Sequence, residues 1–371
     1  MRVAVVGAGI VGLSAARTLA AAGHSVTVFE QGPVPNPLAS SVDRSRLIRH
    51  AYADLPGYAA MVDDAYAAWE RLWADLGVRH HVEMGTLLLA RPGSSWATDC
   101  AETLAWLNRP AMPLSLDKAA ARYPPLSLDG VGEAYLADTG GVLHAERIVR
   151  DLGHHVARLG GTVRAETPVA RADPEAGTVI LADGTRHEAD WVLVAAGPWT
   201  GRLAPELADR VTPSRQLVCT LDLPADQRPA WDGMPIVLDI GPESGTYAVP
   251  PVLGEPLKVG DHSFTLEGEP DRDREPTRAE LTALIEHVRA RVPGVADCGV
   301  REGRTCFYTV APDSRFIAEP AARGLVLAGF SGHGFKFGPL IGERLRAVAD
   351  GDYAAGAFAT WLAGHAPDTP M

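Results

Sequence analysis

The chain has 371 residues, which at about 150 residues per domain predicts two or three domains, and 46% of them are hydrophobic, as in a globular protein with a sizeable core. The formal net charge of −12 would repel a phosphate backbone, so nucleic acid is not an expected partner. No apolar run reaches the roughly 18 residues of a transmembrane helix, and the four cysteines lack metal-site spacing, so neither a membrane segment nor a metal is expected.

The first thirty residues predict a strand, a glycine-rich turn, a helix and a second strand. Residues 2–6 are apolar and β-branched, as in a buried parallel strand, and residues 13–22 favour a helix that ends at Gly23. Residues 25–29 predict the next strand, with Glu30 at its carboxyl end. Because glycines interrupt the apolar start, we interpret it as mature protein rather than an export signal, and the expected location is cytoplasmic.

Further helices and strands alternate along the rest of the chain. Helices are predicted at 57–76, 145–160, 277–291 and near 340–350, and strands at 85–90, 162–164, 191–196, 215–222, 246–264 and 324–328. Residues 266–276 are rich in proline and charge, which predicts a loop. In the first of these helices Met61, Ala65, Trp69 and Trp73 recur every four residues, which indicates core packing rather than a cofactor site.

The order of these elements predicts a fold of mixed α/β and α+β class in two domains. Buried strands of the parallel type cluster at the two ends and in the middle of the chain, whereas the segments between them alternate as antiparallel strands do. We expect a Rossmann-like domain, built from discontinuous segments, and a second domain with a mostly antiparallel sheet. The segments are 1–83, 143–213 and 306–371 for the first domain, and 84–142 and 214–305 for the second.

The first turn carries the pattern Gly7-X-Gly9-X-X-Gly12, and Glu30 follows eighteen residues after the last glycine. Glycine permits the tight turn and lets the backbone approach a pyrophosphate, while the helix N-terminus favours phosphate charge. Glu30 would accept hydrogen bonds from the hydroxyls of an adenosine ribose. The surrounding strands and helix favour a dinucleotide site over a glycine turn without a ligand, but the pattern does not choose between FAD and NAD.

Two more motifs lie near the carboxyl end. Residues 305–309 are Thr-Cys-Phe-Tyr-Thr, and the glycine-rich residues 329–339 follow the strand predicted at 324–328. These glycines would let the backbone approach a flat or phosphorylated ligand at the edge of a parallel sheet. The alternative for His333 and Lys336 is an ordinary solvated loop.

Several blocks in matching order resemble the monomeric sarcosine oxidase and N-methyl-amino-acid oxidase family, within the D-amino-acid-oxidase-like flavoproteins. The blocks are Gly7–Glu30, Ser45-Arg-Leu-Ile-Arg-His-Ala-Tyr52, Lys258-Val-Gly-Asp-His262, Cys306-Phe-Tyr-Thr309 and Gly329–Phe337. The resemblance implies FAD as the cofactor of the first domain. The residues it places at the cofactor are Gly7, Gly9, Ile10, Val11, Gly12, Glu30, Arg46, Ala196, Gly197, Trp199, Cys306, Gly332, Gly334, Phe335 and Lys336.

The resemblance also implies that Cys306 forms a thioether to the 8α carbon of the flavin. A thiolate can add to this electron-poor methylene while the ring accepts the electrons, and nearby cations favour the thiolate. The alternative is a small buried apolar residue, which is our interpretation of Cys100, Cys219 and Cys298.

The resemblance assigns catalytic roles to eight side chains. Arg49 and Lys336 would bind a substrate carboxylate, Lys258 would activate oxygen on the opposite flavin face, and Arg46 would support the negative charge of the reduced ring. The alternative for Arg46 and Arg49, three residues apart, is a surface ion pair. The other residues would line the substrate cavity, although any of them could be a core residue; they are His262, Tyr247, Tyr308 and His333.

Two departures from the family pattern put sarcosine itself in doubt as the substrate. Val42-Asp43-Arg44 replace the usual histidine and Gly-Asp before the Ser45-Arg46 pair, and Asp261 replaces an aromatic residue before His262. Both changes alter the polarity expected around the flavin and the cavity.

The resemblance therefore implies a monomeric FAD-dependent oxidase. It would oxidise the C–N bond of a carboxylate-bearing secondary or cyclic amine, giving an imine and, with molecular oxygen, hydrogen peroxide. The alternatives are a flavin dehydrogenase that passes electrons to a carrier, an oxidase of glycine or primary D-amino acids, an NAD-linked dehydrogenase, and a flavin-dependent binding or assembly protein without catalysis.

Overall fold

The computed structural model describes residues 1–241 and 244–365. In this part of the chain the α-helices are α1 (Ile10–Ala21), α2 (Pro56–Leu76), α3 (Trp96–Trp106), α4 (Leu116–Arg122), α5 (Ala145–Arg158), α6 (Thr200–Leu203), α7 (Arg278–Arg289), α8 (Gly338–Asp350) and α9 (Ala355–Leu362).

The strands in the first half are β1 (Arg2–Val6), β2 (Ser25–Phe29), β3 (Arg46–Ile48), β4 (His81–Glu83), β5 (Thr86–Ala90), β6 (Met112–Pro113), β7 (Glu133–Ala137), β8 (Gly141–Leu143), β9 (Thr162–Arg164), β10 (Val169–Asp173) and β11 (Thr178–Leu181). Those in the second half are β12 (Arg186–Glu188), β13 (Trp191–Val194), β14 (Thr212–Asp222), β15 (Ile236–Gly241), β16 (Ser244–Val249), β17 (Leu257–Asp261), β18 (Gly299–Val310), β19 (Ile317–Ala321) and β20 (Gly324–Ala328).

A six-stranded sheet gathers both ends and the middle of the chain. Its order is β19-β20-β13-β1-β2-β9, and all neighbours are parallel except the antiparallel pair β19 and β20. Val3 and Val5 face one core, which they share with Leu13 of α1, and the alternate residues Ala4 and Val6 face another. Because both faces are covered, β1 is an uninterrupted apolar run.

An eight-stranded sheet forms the second part, in the order β18-β14-β17-β16-β15-β5-β7-β6. Its neighbours are antiparallel except for the parallel pair β15 and β5. Two three-stranded sheets, β10-β11-β12 and β3-β8-β4, complete the topology of the described residues. The α/β class with a mostly antiparallel second sheet is therefore confirmed.

The domain boundaries remain a prediction. Those placed at 213 and 306 fall inside β14 and β18, which pair with each other along their lengths. The two predicted boundaries would therefore cut through a pair of hydrogen-bonded strands.

Most predicted elements are present, although others, such as α3 and α9, were not predicted, and three differences concern strands near the cavities described below. The strand expected at 246–264 is two strands, β16 and β17, because Pro250 and Pro251 end the first. The long strand β18 was not predicted around Cys306, because charged residues break its apolar pattern. The strand at 191–196 ends at Val194, and the next two residues turn toward a cavity.

Among the described residues, no helix has both the length and the apolarity needed to cross a bilayer.

Candidate active site

A cavity of about 1090 Å³, measured to its open mouth, lies at the carboxyl ends of β1, β2 and β13. It lies in the crevice where open α/β sheets bind ligands. Most of the predicted cofactor residues line it: Gly7, Gly9, Ile10, Val11, Glu30, Arg46, Ala196, Gly197, Trp199, Gly332, Gly334 and Phe335. Gly12, Cys306 and Lys336 are not among its lining residues.

The glycines of the first turn are required by close backbone contacts. Gly7 has a φ of +104°, and a Cβ atom there would lie 2.4 Å from the carbonyl oxygen of Ala195. A Cβ at Gly12 would lie 2.0 Å from the carbonyl oxygen of Gly7. Gly12 therefore brings α1 against the turn, while Gly7 and Gly9 form the cavity wall.

Glu30 lines this cavity at the carboxyl end of β2. Its carboxylate accepts hydrogen bonds from the backbone N–H of Ala8 at 2.8 Å and from the side-chain amide of Asn36 at 2.8 Å. The carboxylate is thereby fixed at the end of β2 and retains lone pairs for a ribose hydroxyl.

A second cavity, of about 640 Å³, adjoins the first. All eight predicted catalytic residues line it: Arg46, Arg49, Tyr247, Lys258, His262, Tyr308, His333 and Lys336. The two cavities share Arg46, Tyr308, Gly332 and Phe335. A flat group in the first cavity would thus be in contact with a small molecule in the second.

Lys258 and Arg46, which line this cavity, share a buried carboxylate that is not itself a lining residue. The Lys258 ammonium donates to Asp43 Oδ2 at 2.6 Å and to the Ser45 carbonyl at 2.9 Å, and Arg46 Nη1 lies 3.0 Å from the same Oδ2. Burial would raise the pKa of Asp43, but the charges of Lys258 and Arg46 outweigh it and lower that pKa to about 2. Asp43 is therefore ionised and balances one of the two positive charges.

Arg49 and Lys336 have no such partner within the described part of the chain. No carboxylate oxygen there lies within 4.0 Å of either side chain, and Lys336 is only 3% exposed. Burial, together with the nearby charge of Arg49, holds the pKa of Lys336 well below its ordinary value. An anion that entered the cavity would raise this pKa and would be bound by both side chains.

Tyr52 supports both of these cations. Arg49 lies 5.3 Å from the centre of its ring, and Lys336 donates a hydrogen bond to its hydroxyl at 2.9 Å. The hydroxyl lies 3.0 Å from His333 Nδ1, and His333 Nε2 donates to the Ser314 carbonyl at 2.9 Å. Because a carbonyl only accepts, Nδ1 of the neutral imidazole accepts the proton of Tyr52.

Two tyrosines of the cavity wall lie against glycines. A Cβ at Gly260, which pairs with Tyr247 across β16 and β17, would lie 2.4 Å from the Tyr247 hydroxyl oxygen. Gly332, with a φ of +78°, leaves the same room beside the ring of Tyr308. Burial raises the pKa of Tyr308 to about 12, so its hydroxyl remains protonated. His262 is also uncharged, because burial lowers its pKa to about 4.

Comparison with known proteins agrees with this geometry. The model of the DAO family, described as FAD dependent oxidoreductase, matches residues 2–347. This chain belongs to that family.

Two relatives show how closely the chain resembles DAO family members. Peroxisomal sarcosine oxidase of Mus musculus is 31% identical over 359 residues, which cover 92% of this chain and 90% of the mouse protein. N-methyl-L-tryptophan oxidase of Yersinia pestis is 28% identical over 347 residues, covering 91% and 92%. Among solved structures, L-proline dehydrogenase from P. horikoshii has a TM-score of 0.81 at 18% identity, over 97% of this chain and 96% of that one, which shows the shared fold.

Three predictions from the sequence are confirmed by these comparisons: the DAO-like family, the fold class and an FAD-dependent enzyme that oxidises amines. The residues present also fit the cofactor of this family. The first cavity has a glycine turn that a Cβ would fill, a helix N-terminus facing it and an acid at the carboxyl end of β2, which are the groups that an FAD pyrophosphate and ribose require.

Cys306 lies beside this cofactor cavity rather than in its lining. It is 3% exposed, and Arg46 Nη2 donates to its sulfur at 3.3 Å. Cys306 and Tyr308 are two residues apart on β18, so their side chains lie on the same face of the strand. Arg46, which contacts the sulfur, and Tyr308 both line the two cavities, so the sulfur lies on the cavity side of β18.

Three residues important to the site were not identified from the sequence. Asp43 was noted only as a departure from the family pattern, although its position three residues before Arg46 suits an ion pair. Tyr52 belongs to a quoted block but was given no role. Trp69, which is buried as predicted, also donates a hydrogen bond to the Lys336 carbonyl at 2.7 Å and so holds the glycine-rich loop.

Proposed function

We propose that this flavoenzyme is an oxidase of carboxylate-bearing secondary or cyclic amines, with molecular oxygen as the electron acceptor. The observation that supports it is the pair Arg49 and Lys336, two cations that line the second cavity and have no carboxylate partner in the described chain. The products would be an imine, which water hydrolyses, and hydrogen peroxide.

The substrate carboxylate would lie between these two cations. The planar guanidinium of Arg49 can donate two parallel hydrogen bonds to it, and the Lys336 ammonium supplies a point charge. Tyr52 holds both donors in place before the substrate arrives, so little reorganisation is needed on binding.

The rest of the cavity suits an apolar amine in its neutral form. Leu47, Leu238, Ile240 and Val249 contribute an aliphatic wall, and none of the described lining residues is acidic. A protonated amine would therefore find no counter-charge, whereas a neutral secondary amine can be held by tyrosine hydroxyls. No side chain is required to remove a proton from the substrate.

FAD, when bound, supplies the acceptor for the two electrons and the hydrogen that leave the carbon beside nitrogen. The residues of this chain would place that carbon against the wall shared by the two cavities, and Arg46 would stabilise negative charge there. Lys258 would present its ammonium to oxygen, because a fixed cation stabilises the superoxide that forms first.

The carboxylate site can be tested by anaerobic flavin reduction with matched substrates. We expect an N-methyl or cyclic amino acid to bleach the flavin, and the same amine without its carboxylate to react at least about 100-fold more slowly at equal concentration. Equal rates for the two compounds would contradict the proposal. The methyl ester of the amino acid is the control, because it retains the shape and loses the charge.

One observation favours a second candidate, a dehydrogenase that passes electrons to a carrier. The Lys258 ammonium is already bound by Asp43 and the Ser45 carbonyl, so it is less free to meet oxygen than an unpaired lysine. Rapid mixing of reduced enzyme with oxygen and with an artificial quinone distinguishes the two candidates. An oxidase reacts faster with oxygen, and a dehydrogenase reacts faster with the quinone.

We further propose a covalent thioether between Cys306 and the flavin. The support is the position of the sulfur on the cavity side of β18, where Arg46, a lining residue of the cofactor cavity, donates a hydrogen bond to it. After acid precipitation the flavin should stay with the protein, and Cys306→Ser should release it while Cys298→Ser, at a half-buried cysteine elsewhere, should not. Flavin in the supernatant of the wild-type protein would contradict this.

The resemblance to monomeric oxidases supports one further proposal, a monomeric state, and the cytoplasmic location predicted from the sequence is kept as a second. Size-exclusion chromatography coupled to light scattering would test the first, and fractionation of the producing cell would test the second.

A further inference from the structure

Asp43 is the one acidic side chain among the described residues that contacts the predicted flavin-side cations. It is 3% exposed, and a single oxygen, Oδ2, contacts both Lys258 Nζ at 2.6 Å and Arg46 Nη1 at 3.0 Å. Two nitrogens that share one oxygen also lie close to each other, so the two positive charges repel. The carboxylate is what allows both of them to remain in this wall.

The other groups that face Lys258 cannot replace this carboxylate. Thr220 of β14 and Val249 of β16 flank it across the sheet, and both are uncharged. The ionisable groups nearby are Arg46 on β3, Cys306 and Tyr308 on β18, and Tyr247 on β16. Burial raises the pKa of both tyrosines, so neither supplies a negative charge near neutral pH.

Lys258 therefore depends on Asp43 to hold its proton. The ammonium is 3% exposed, and a buried charge without a partner is strongly disfavoured. Burial lowers the pKa of Lys258, Asp43 raises it, and the repulsion from Arg46 lowers it again. If Asp43 lost its charge, burial and Arg46 would both favour the neutral amine, and the nearby Cys306 sulfur would oppose them only as a thiolate, which the proposed thioether excludes.

We propose that Asp43 is a positioning residue that keeps the Lys258 ammonium charged and fixed beside the cavity, and so extends the reaction with oxygen to higher pH. The inference rests on the proposed function, in which Lys258 meets oxygen. It also gives a physical reason for an acid at this point of the chain, three residues before Arg46.

The test is the rate of reoxidation of the reduced holoenzyme by oxygen, measured by rapid mixing between pH 6 and pH 10. In the wild type the rate should fall as pH rises through the pKa of Lys258. In Asp43→Asn, which keeps the shape and loses the charge, we expect this fall at least one pH unit lower. Asp43→Glu, which keeps the charge, should lie nearer the wild type than the Asn variant does.

A second readout does not depend on turnover. At pH values below the decrease in the reoxidation rate, Asp43→Asn carries one more net positive charge near the flavin than the wild type. The midpoint potential of its flavin should therefore be higher at those pH values. The two potentials should converge as pH rises and the Lys258 of the variant loses its proton. A merely structural role for Asp43 would not produce this pH-dependent difference.

The outcomes separate the two proposals. If wild-type reduced enzyme does not react with oxygen at any pH, the proposed oxidase is wrong. If it reacts, and Lys258→Met slows it, but Asp43→Asn keeps the wild-type pH profile and potential, the role of Asp43 is wrong and the oxidase stands. Asp43→Ser repeats the neutralisation with a smaller side chain, so a poorly folded Asn variant does not end the test.

Discussion

The second cavity has two cations at each of two places, and the two pairs differ in how their charge is balanced. Lys258 and Arg46 share the carboxylate of Asp43, whereas Arg49 and Lys336 lie around Tyr52 with no carboxylate within 4.0 Å in the described chain. The first pair carries its own counter-charge at all times. The positive charge of the second pair is balanced only when an anionic ligand binds in the cavity.

This difference separates two tasks that positive charge can perform in one site. A cation with a resident partner keeps its position and protonation, which suits the constant field that a reduced cofactor needs. A buried cation without a partner is held at a cost in free energy, and part of that cost is recovered when a ligand brings the missing charge. The comparison thus predicts different responses to mutation at the two places.

The largest effect is expected from removing an unpaired cation. Arg49→Met should lower kcat/KM for a carboxylate substrate roughly 100- to 1000-fold, because a charged, paired hydrogen bond in a desolvated site is lost. Steady-state kinetics measures it, with Arg71→Met, an exposed arginine paired with Glu343, as control. A loss that is equally large for the uncharged ester would show that Arg49 does not act on the carboxylate.

A smaller effect is expected from changing Tyr52, which contacts both unpaired cations. Tyr52→Phe keeps the ring beneath Arg49 but removes the hydroxyl that accepts from Lys336, so KM should rise about tenfold, the value of one hydrogen bond to a charged group. The turnover number should change less. Tyr353→Phe removes an exposed hydroxyl far from the cavity and is the matched control. An unchanged KM with a reduced kcat would mean that Tyr52 acts on the reaction rather than on binding.

The smallest expected effect is on the free energy of unfolding at acidic pH. It tests the interaction of Asp43 with the paired cations Lys258 and Arg46. The pKa of Asp43 is lowered from 3.8 to about 2, so the ionised form stabilises the fold above pH 4, and this stabilisation is lost as pH falls toward 2. Between pH 6 and pH 3 the wild type should lose about 1 kcal/mol more unfolding free energy than Asp43→Asn. Urea titrations at the two pH values measure it, and parallel losses in both proteins would show that Asp43 is not held ionised by the pair.

Structure that depends on residues close together in the chain was the easiest to predict from the sequence. The turn from Gly7 to Gly12 follows from the need for close backbone contacts within one β-α unit, so its residues could be read in order along the chain. The resemblance to a family placed the four cations at one site. The structure brings all eight predicted catalytic side chains, including these four, to one cavity.

The carboxylate partner of Lys258 and Arg46 could not be predicted from the sequence in this way. Asp43 and Lys258 are 215 residues apart, and only the folded structure shows that their side chains meet. The division of 246–264 into two strands could have been seen, since two consecutive prolines end most strands. The position of Cys306 on the cavity side of β18 required the register of that strand with β14.

The wall around the proposed flavin position is assembled from widely separated parts of the chain, with Asp43 near the start, Lys258 two-thirds along and Cys306 later still. During synthesis on the ribosome, the early half of the molecule can form β1, α1 and β2, but it lacks the pieces that would retain the ring of the cofactor. Stable binding of the flavin ring is consequently expected only after both Lys258 and Cys306 have been synthesised.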